Sequence, residues 1–131
     1  MKKILLFLAL AITTATTFAQ DPVKLITYKN RFGPWSQKDG SYIYEPYVYS
    51  TITFSFYSNY ISVDDKNHSI YRITEDLPTT ENNGCKITKS KCLDEQNNKC
   101  LIELVSYKDC TNSRIEIYYQ DYSFKYILDD E

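Results

Sequence analysis

An all-β fold is what this sequence predicts, on three observations. Apolar and polar residues alternate with period two through 51–63, 85–107 and 114–127, the pattern of half-buried strands. Short clusters of Asp, Asn, Ser and Lys separate these runs at fairly regular intervals, as tight connections in an antiparallel sheet require. No long window carries apolar residues at helical spacing. The expectation is a small antiparallel meander of about seven or eight strands, barrel-like or a two-sheet sandwich, stapled by disulfides.

The chain opens with Met1, Lys2 and Lys3, continues through the apolar run 4–12 and leaves through small residues at 13–19. This charged, apolar, small order is that of a secretory signal, with cleavage expected after Ala19. Its apolar run is well short of the roughly 20 residues a transmembrane helix needs, and no later window approaches that length. Residues 1–19 therefore read as the signal and 20–131 as a single β domain, exported to the periplasm or secreted, with no transmembrane anchor.

Without Lys2 and Lys3, thirteen basic residues face seventeen acidic ones, a net of −4. Clustered Lys and Arg are lacking, which argues against nucleic acid or an anionic membrane surface as partner.

The opening strand is placed at 23–28. The hairpin at 51–63 turns at Ser58 and Asn59, so that Tyr57 faces Tyr60, Phe56 faces Ile61 and Phe54 faces Val63, apolar partners throughout. The next reversal, through Asp65–His68, is expected to set Val63 against Tyr71 and Ile61 against Ile73. The last hairpin turns at Gln120 and Asp121, with Ile117 facing Phe124, Ile115 facing Tyr126 and Glu116 facing Lys125.

Four cysteines, Cys85, Cys92, Cys100 and Cys110, lie within 26 residues. An even count in an exported chain points to disulfides. The intervals of seven, seven and nine, with the single His68 far upstream, do not suit zinc. Setting Cys92 opposite Cys100 also pairs Lys89 with Glu103, Ile87 with Val105 and Cys85 with Tyr107. The preferred bonds are Cys92 with Cys100 and Cys85 with Cys110, two other connectivities staying open. Each is worth about 2–4 kcal/mol in the chain-entropy picture.

Signals for enzyme chemistry are weak, and no cofactor or metal site is expected. His68 lies in a polar turn, leaving no spare imidazole to activate a nucleophile. Asp64 with Asp65, and Asp94 with Glu95, sit in turns, which favour Asp for backbone reasons. The oxygen-rich segments 64–69 and 94–98 lack the spacing of a calcium loop. The isolated Gly33, Gly40 and Gly84 do not form a phosphate cradle, and Asn67, His68 and Ser69 form a glycosylation triplet that matters only in a glycosylating host.

One region stands above background. Between Phe32 and Tyr49, loop-like pieces broken by Gly33, Pro34, Gly40 and Pro46 carry Trp35, Tyr42, Tyr44, Tyr47 and Tyr49. Aromatic rings with polar tips suit contacts to a carbohydrate, a peptide or a protein partner. Their period-two spacing equally suits a buried sheet face. The functional expectation is thus a non-enzymatic binding module using this aromatic surface. The alternatives are a small barrel carrying an apolar ligand, marked by a cavity of a few hundred Å³, and a hydrolase using carboxylates.

Overall fold

A computed structural model describes residues 22–82, 84–107 and 113–128. The expected signal at 1–19 and Cys110 lie outside them. Ten strands follow in chain order: β1 Val23–Ser36, β2 Ser41–Tyr42, β3 Val48–Phe56, β4 Tyr60–Asp64, β5 Ser69–Asp76, β6 Thr80–Asn82, β7 Cys85–Leu93, β8 Lys99–Tyr107, β9 Arg114–Tyr118 and β10 Tyr122–Ile127. No helix occurs among the described residues, so none there is long and apolar enough to cross a membrane.

Eight of these strands form a closed antiparallel barrel in the order β1-β3-β4-β5-β7-β8-β9-β10, with β10 pairing back onto β1. The short β2 extends β1 at one end, and β6 extends the sheet beside β7. Closure rests on the length of β1. Its first part, from Val23 to Asn30, pairs β3, and the stretch from Lys29 to Pro34 pairs β10. The expected opening strand at 23–28 is thus extended through Pro34, which sits opposite Tyr122 near the strand's end, where a missing N–H is tolerated. With β10 paired to β1, the barrel has no open edge for another chain to extend.

Two bulges give the curvature. At Tyr28 the register of β1 slips, so inward positions change from Leu25 and Thr27 to Asn30 and Phe32, opposite Tyr126 and Phe124. At Thr74 the same happens in β5, between Ile73 and Glu75. An extra residue on one strand bends it and increases its twist, which a closed sheet needs.

Most expected registers hold. Phe54 opposes Val63 and Phe56 opposes Ile61, and the Tyr57 and Tyr60 rings stack at 4.3 Å. The β9–β10 pairs are as expected, including Glu116 with Lys125. The β7–β8 pairs also hold, from Cys92 with Cys100 to Cys85 with Tyr107.

The β4–β5 hairpin differs by two residues. Ile61 opposes Tyr71 and Val63 opposes Ser69, because His68 takes a left-handed φ of 49° and its N–H closes onto the Asp65 carbonyl, a tighter turn than expected. A shift of two keeps every side chain on its face. The core survives the change.

The staple itself is a correction. Cys85, Cys92 and Cys100 are free thiols. The Asp94 N–H donates to the Asn98 carbonyl, so two residues further along Cys92 and Cys100 again occupy a hydrogen-bonded pair of sites. Such pairs hold their Cβ atoms about 5.5 Å apart, whereas a disulfide needs about 3.8 Å.

The barrel is filled along its axis. Phe54, Ile61, Val63, Ile115 and Ile117 are essentially inaccessible at its waist. Ring contacts climb the interior from Phe56 to Phe54 (6.4 Å), Tyr126 (4.8 Å) and Phe124 (6.4 Å), then from Phe124 to Tyr122 (5.7 Å) and on to Tyr119 (4.7 Å). An eight-stranded barrel has just enough interior for side chains or for one small ligand. Here the side chains take the waist and leave the ends.

Candidate functional site: the upper mouth of the barrel

In a meander, successive connections alternate between the two ends of the barrel. The turns at 65–68, 94–98 and 119–121 therefore fall at one end, called upper here, together with the connection between β1 and β3. Between the three turns opens a cavity of about 460 Å³. That lies within the roughly 300–1,000 Å³ range typical of small-molecule sites. A second cavity, lined by Ile61, Ile73, Ile102 and Leu104 toward the other end, measures about 50 Å³.

One side of the upper cavity is aromatic. Tyr119, Tyr122, Phe124 and Tyr126 line it from β10 and the turn before it, and Tyr71 joins them from β5. Alternate residues of β10 share a face, which is why Tyr122, Phe124 and Tyr126 all turn inward.

The rim is acidic. Asp65, Asp94 and Glu95 line it from two of the turns, each carboxylate held by backbone donors. Asp65 Oδ1 accepts from the Asn67 and Ser69 amides, at 3.0 and 3.2 Å. Asp94 Oδ1 accepts from Gln96 and Asn98, at 2.9 and 2.8 Å. Glu95 Oε1 reaches across to the Ile70 amide at 2.9 Å, tying the β7–β8 turn to the start of β5. An Asp that bonds its own turn's N–H groups explains the turn composition of the sequence.

A hydrogen bond links rim to wall: the Tyr119 hydroxyl donates to Asp94 Oδ2 at 2.8 Å. Burial works against ionisation of Asp94, yet the bonds from Asn98, Tyr119 and Gln96 prevail and hold its carboxyl below the ordinary range. Burial pushes the Tyr71 phenol up to about 12, helped by the nearby Cys100, Asp65 and Asp94 and opposed by its bond with Tyr119. Tyr119 is raised too, by burial first and then by Tyr71 and Asp94. Below the cavity, burial raises the Cys100 thiol to about 11 and the Cys92 thiol to about 12, so both are protonated at neutral pH. The phenols and thiols carry no charge there, and the carboxylates set the potential of the mouth.

The residues expected to bind from sequence lie elsewhere, on the outer wall. The segment from Tyr42 to Tyr49 crosses that wall as a strap. The Tyr42 hydroxyl donates to the Tyr119 carbonyl at 2.7 Å, and the Tyr44 hydroxyl meets that of Ser123 at 2.8 Å. The Tyr44 ring lies on Gly33, where a Cβ would stand 2.7 Å from a ring carbon. Lys125 and Arg31 sit over that ring at 4.4 and 4.8 Å. Arg31 and Lys29 sit over Tyr47 at 4.3 and 4.8 Å, and Lys29 is 5.9 Å from Tyr49. Trp35 packs edge-on against Tyr42 at 5.0 Å. Trp35, Tyr42 and Tyr44 are thus brought together, Tyr47 and Tyr49 are reached through cations, and none of the five lines the cavity. Trp35 remains 40 % exposed and Tyr49 77 %.

Under the strap runs a row of charges, one per strand: Lys89, Glu103, Glu116, Lys125 and Arg31 are successive cross-strand neighbours. Glu116 is 3 % exposed and is paired with Arg114 and with Lys125 (3.7 Å). His68 faces solvent beside Asp64 at 3.2 Å. Among the described residues no group of three His, Cys, Asp or Glu is gathered as a metal site.

From sequence, Asp65, Asp94 and Glu95 read as turn residues and Tyr71, Tyr119, Tyr122, Phe124 and Tyr126 as strand partners, so the cavity they line is not singled out. A signal was present, since the meander's parity brings Asp65, Asp94 and the Tyr119–Tyr122 turn to one end once the hairpins are in register. Comparison with known protein families, with curated proteins and with solved structures finds no match.

Proposed function

We propose that this protein is a small exported barrel that binds a small molecule in its upper mouth, without enzymatic turnover. The observation that supports the reading is the cavity of about 460 Å³, bounded by an aromatic wall and a polar rim. Small-molecule sites use a few convergent polar groups to orient the occupant, and here the turn carboxylates and amides supply them beside the aromatic side chains. A carboxylate held ionised, as Asp94 is, is unsuited to act as a general acid near neutral pH.

The outer strap supports a second reading. Ile43, Val48, Trp35 and Tyr49 are exposed along it, a surface of the kind that contacts a carbohydrate, a peptide or a protein partner. Two variants separate the readings. Tyr122→Ala removes a half-buried ring from the cavity wall and is expected to abolish fragment binding, followed by amide chemical shifts across a small-molecule library, while Trp35→Ala leaves it intact. The reverse outcome assigns binding to the strap.

A further inference from the structure

The charge of the upper mouth is one-sided. Among the described residues lining it, Asp65, Asp94 and Glu95 are carboxylates, and none is Lys, Arg or His. Lys66 and His68 share a turn with Asp65 but are not part of the lining, and His68 pairs with Asp64. Tyr71, Tyr119, Tyr122 and Tyr126 line the same cavity, and the Tyr119 hydroxyl donates to Asp94. The Tyr119 and Tyr122 rings stack at 4.7 Å.

Three classes of occupant can be weighed. An anion meets like charge. A neutral polyol can stack on the rings, but it strips water from three carboxylates and returns no charge, and burying an unpaired charge is costly. A cation offsets part of the negative charge at the rim and can also gain from the aromatic rings, which attract ammonium groups within about 6 Å. The outer strap illustrates the same chemistry within the chain, where Lys29, Arg31 and Lys125 rest on Tyr44 and Tyr47. Inside the mouth the rings have no such side chain among the lining residues.

We propose that the upper cavity takes an organic cation, a primary or quaternary ammonium on an aromatic or short aliphatic body, with its charge at the rim of Asp65, Asp94 and Glu95 and its body on the tyrosine wall. This rests on the reading of the upper mouth as a binding site.

The test titrates the purified chain with phenethylamine, tetramethylammonium, neutral 2-phenylethanol, anionic phenylacetate and glucose, following amide shifts and calorimetric heat. Phenethylamine and tetramethylammonium should perturb Tyr71, Asp94 and Tyr119, phenethylamine should bind about tenfold more tightly than 2-phenylethanol, and added salt should weaken both cations. Glu95→Gln keeps an acceptor for the Ile70 amide while removing one charge, so it should lower cation affinity about threefold or more and leave 2-phenylethanol unaffected. Asp94→Asn, checked for folding by its amide spectrum, should act in the same direction. Equal or tighter binding of 2-phenylethanol, phenylacetate or glucose at the same residues overturns the cation assignment and leaves the cavity as a site. An unchanged cation affinity in both variants also overturns it. Perturbations by every probe confined to the strap overturn the cavity reading itself, as does the lack of any perturbation.

Discussion

The two tyrosine-rich regions of this barrel use one residue type in opposite ways. On the outer wall, Tyr44 and Tyr47 lie against Arg31, Lys29 and Lys125, and the hydroxyls of Tyr42 and Tyr44 are tied to the barrel. Their ring faces and polar tips are engaged within the chain. In the upper mouth, Tyr71, Tyr119, Tyr122 and Tyr126 border a hollow, opposite carboxylates instead of cations. A ring satisfied by an internal cation is structural, whereas a ring facing a negative rim across open space offers a place for a cation from outside. Tyrosine count therefore says little about function without the charges that accompany it.

Three perturbations sharpen the contrast. The largest effect is expected under the strap. Replacing Glu116 by Gln removes the buried carboxylate that Arg114 and Lys125 pair with, at a cost of about 3 kcal/mol, the low end for breaking a buried pair because both cations are partly solvated. Urea denaturation measures it, and ligand binding at the mouth should persist in the folded fraction. A change under about 0.5 kcal/mol would mean that the charge row is ornamental to stability, as for ordinary surface pairs.

Next comes Gly33→Ala. The added Cβ meets the Tyr44 ring at 2.7 Å, so the strap must lift or the ring must swing. Overpacking of this kind costs about 1–2 kcal/mol. The change should broaden or shift the Tyr44 and Tyr47 resonances while leaving those of Tyr119 in place. Shifts centred on the mouth instead would show the two regions to be coupled.

The smallest effect is a pH dependence. The native carboxyl of Asp94 lies below its ordinary value of 3.8, through hydrogen bonds that outweigh burial, so its contribution to stability is complete above that value and is lost as pH falls through the lower native one. Glu103, under the strap, runs the other way: burial, with Glu116 adding and Lys89 opposing, lifts it above 4.5. Its contribution is present below 4.5 and is lost as pH rises through the native value. Asp94→Asn should therefore flatten the decline in unfolding free energy as pH falls below the ordinary carboxyl value of 3.8, seen in urea midpoints through the acid limb. An unchanged slope would show that another carboxylate governs the acid limb.

Much of the strand pairing was legible before any tertiary information. The hairpins at 51–63, 85–107 and 114–127 are local problems: a two- or three-residue turn fixes the register, and apolar partners then confirm it over several positions. At His68 the left-handed φ makes a tighter turn than composition alone suggests, which moves the register by two and leaves the faces unchanged. The aromatic segment from Phe32 to Tyr49 stands out in composition, yet composition alone does not separate packing from binding.

Alternation along each strand, the turn positions and the antiparallel order were settled by the amino acids themselves, because each depends on neighbours close in the chain. The tertiary structure alone decided that the sheet closes, since β1 must find β10 about ninety residues away and carries its partner's imprint only as Phe32 opposite Phe124. It also decided which tyrosines border a hollow. Asp65, Asp94 and Tyr122 are remote in sequence and share a site only because an up-and-down meander returns every second turn to the same end of the barrel.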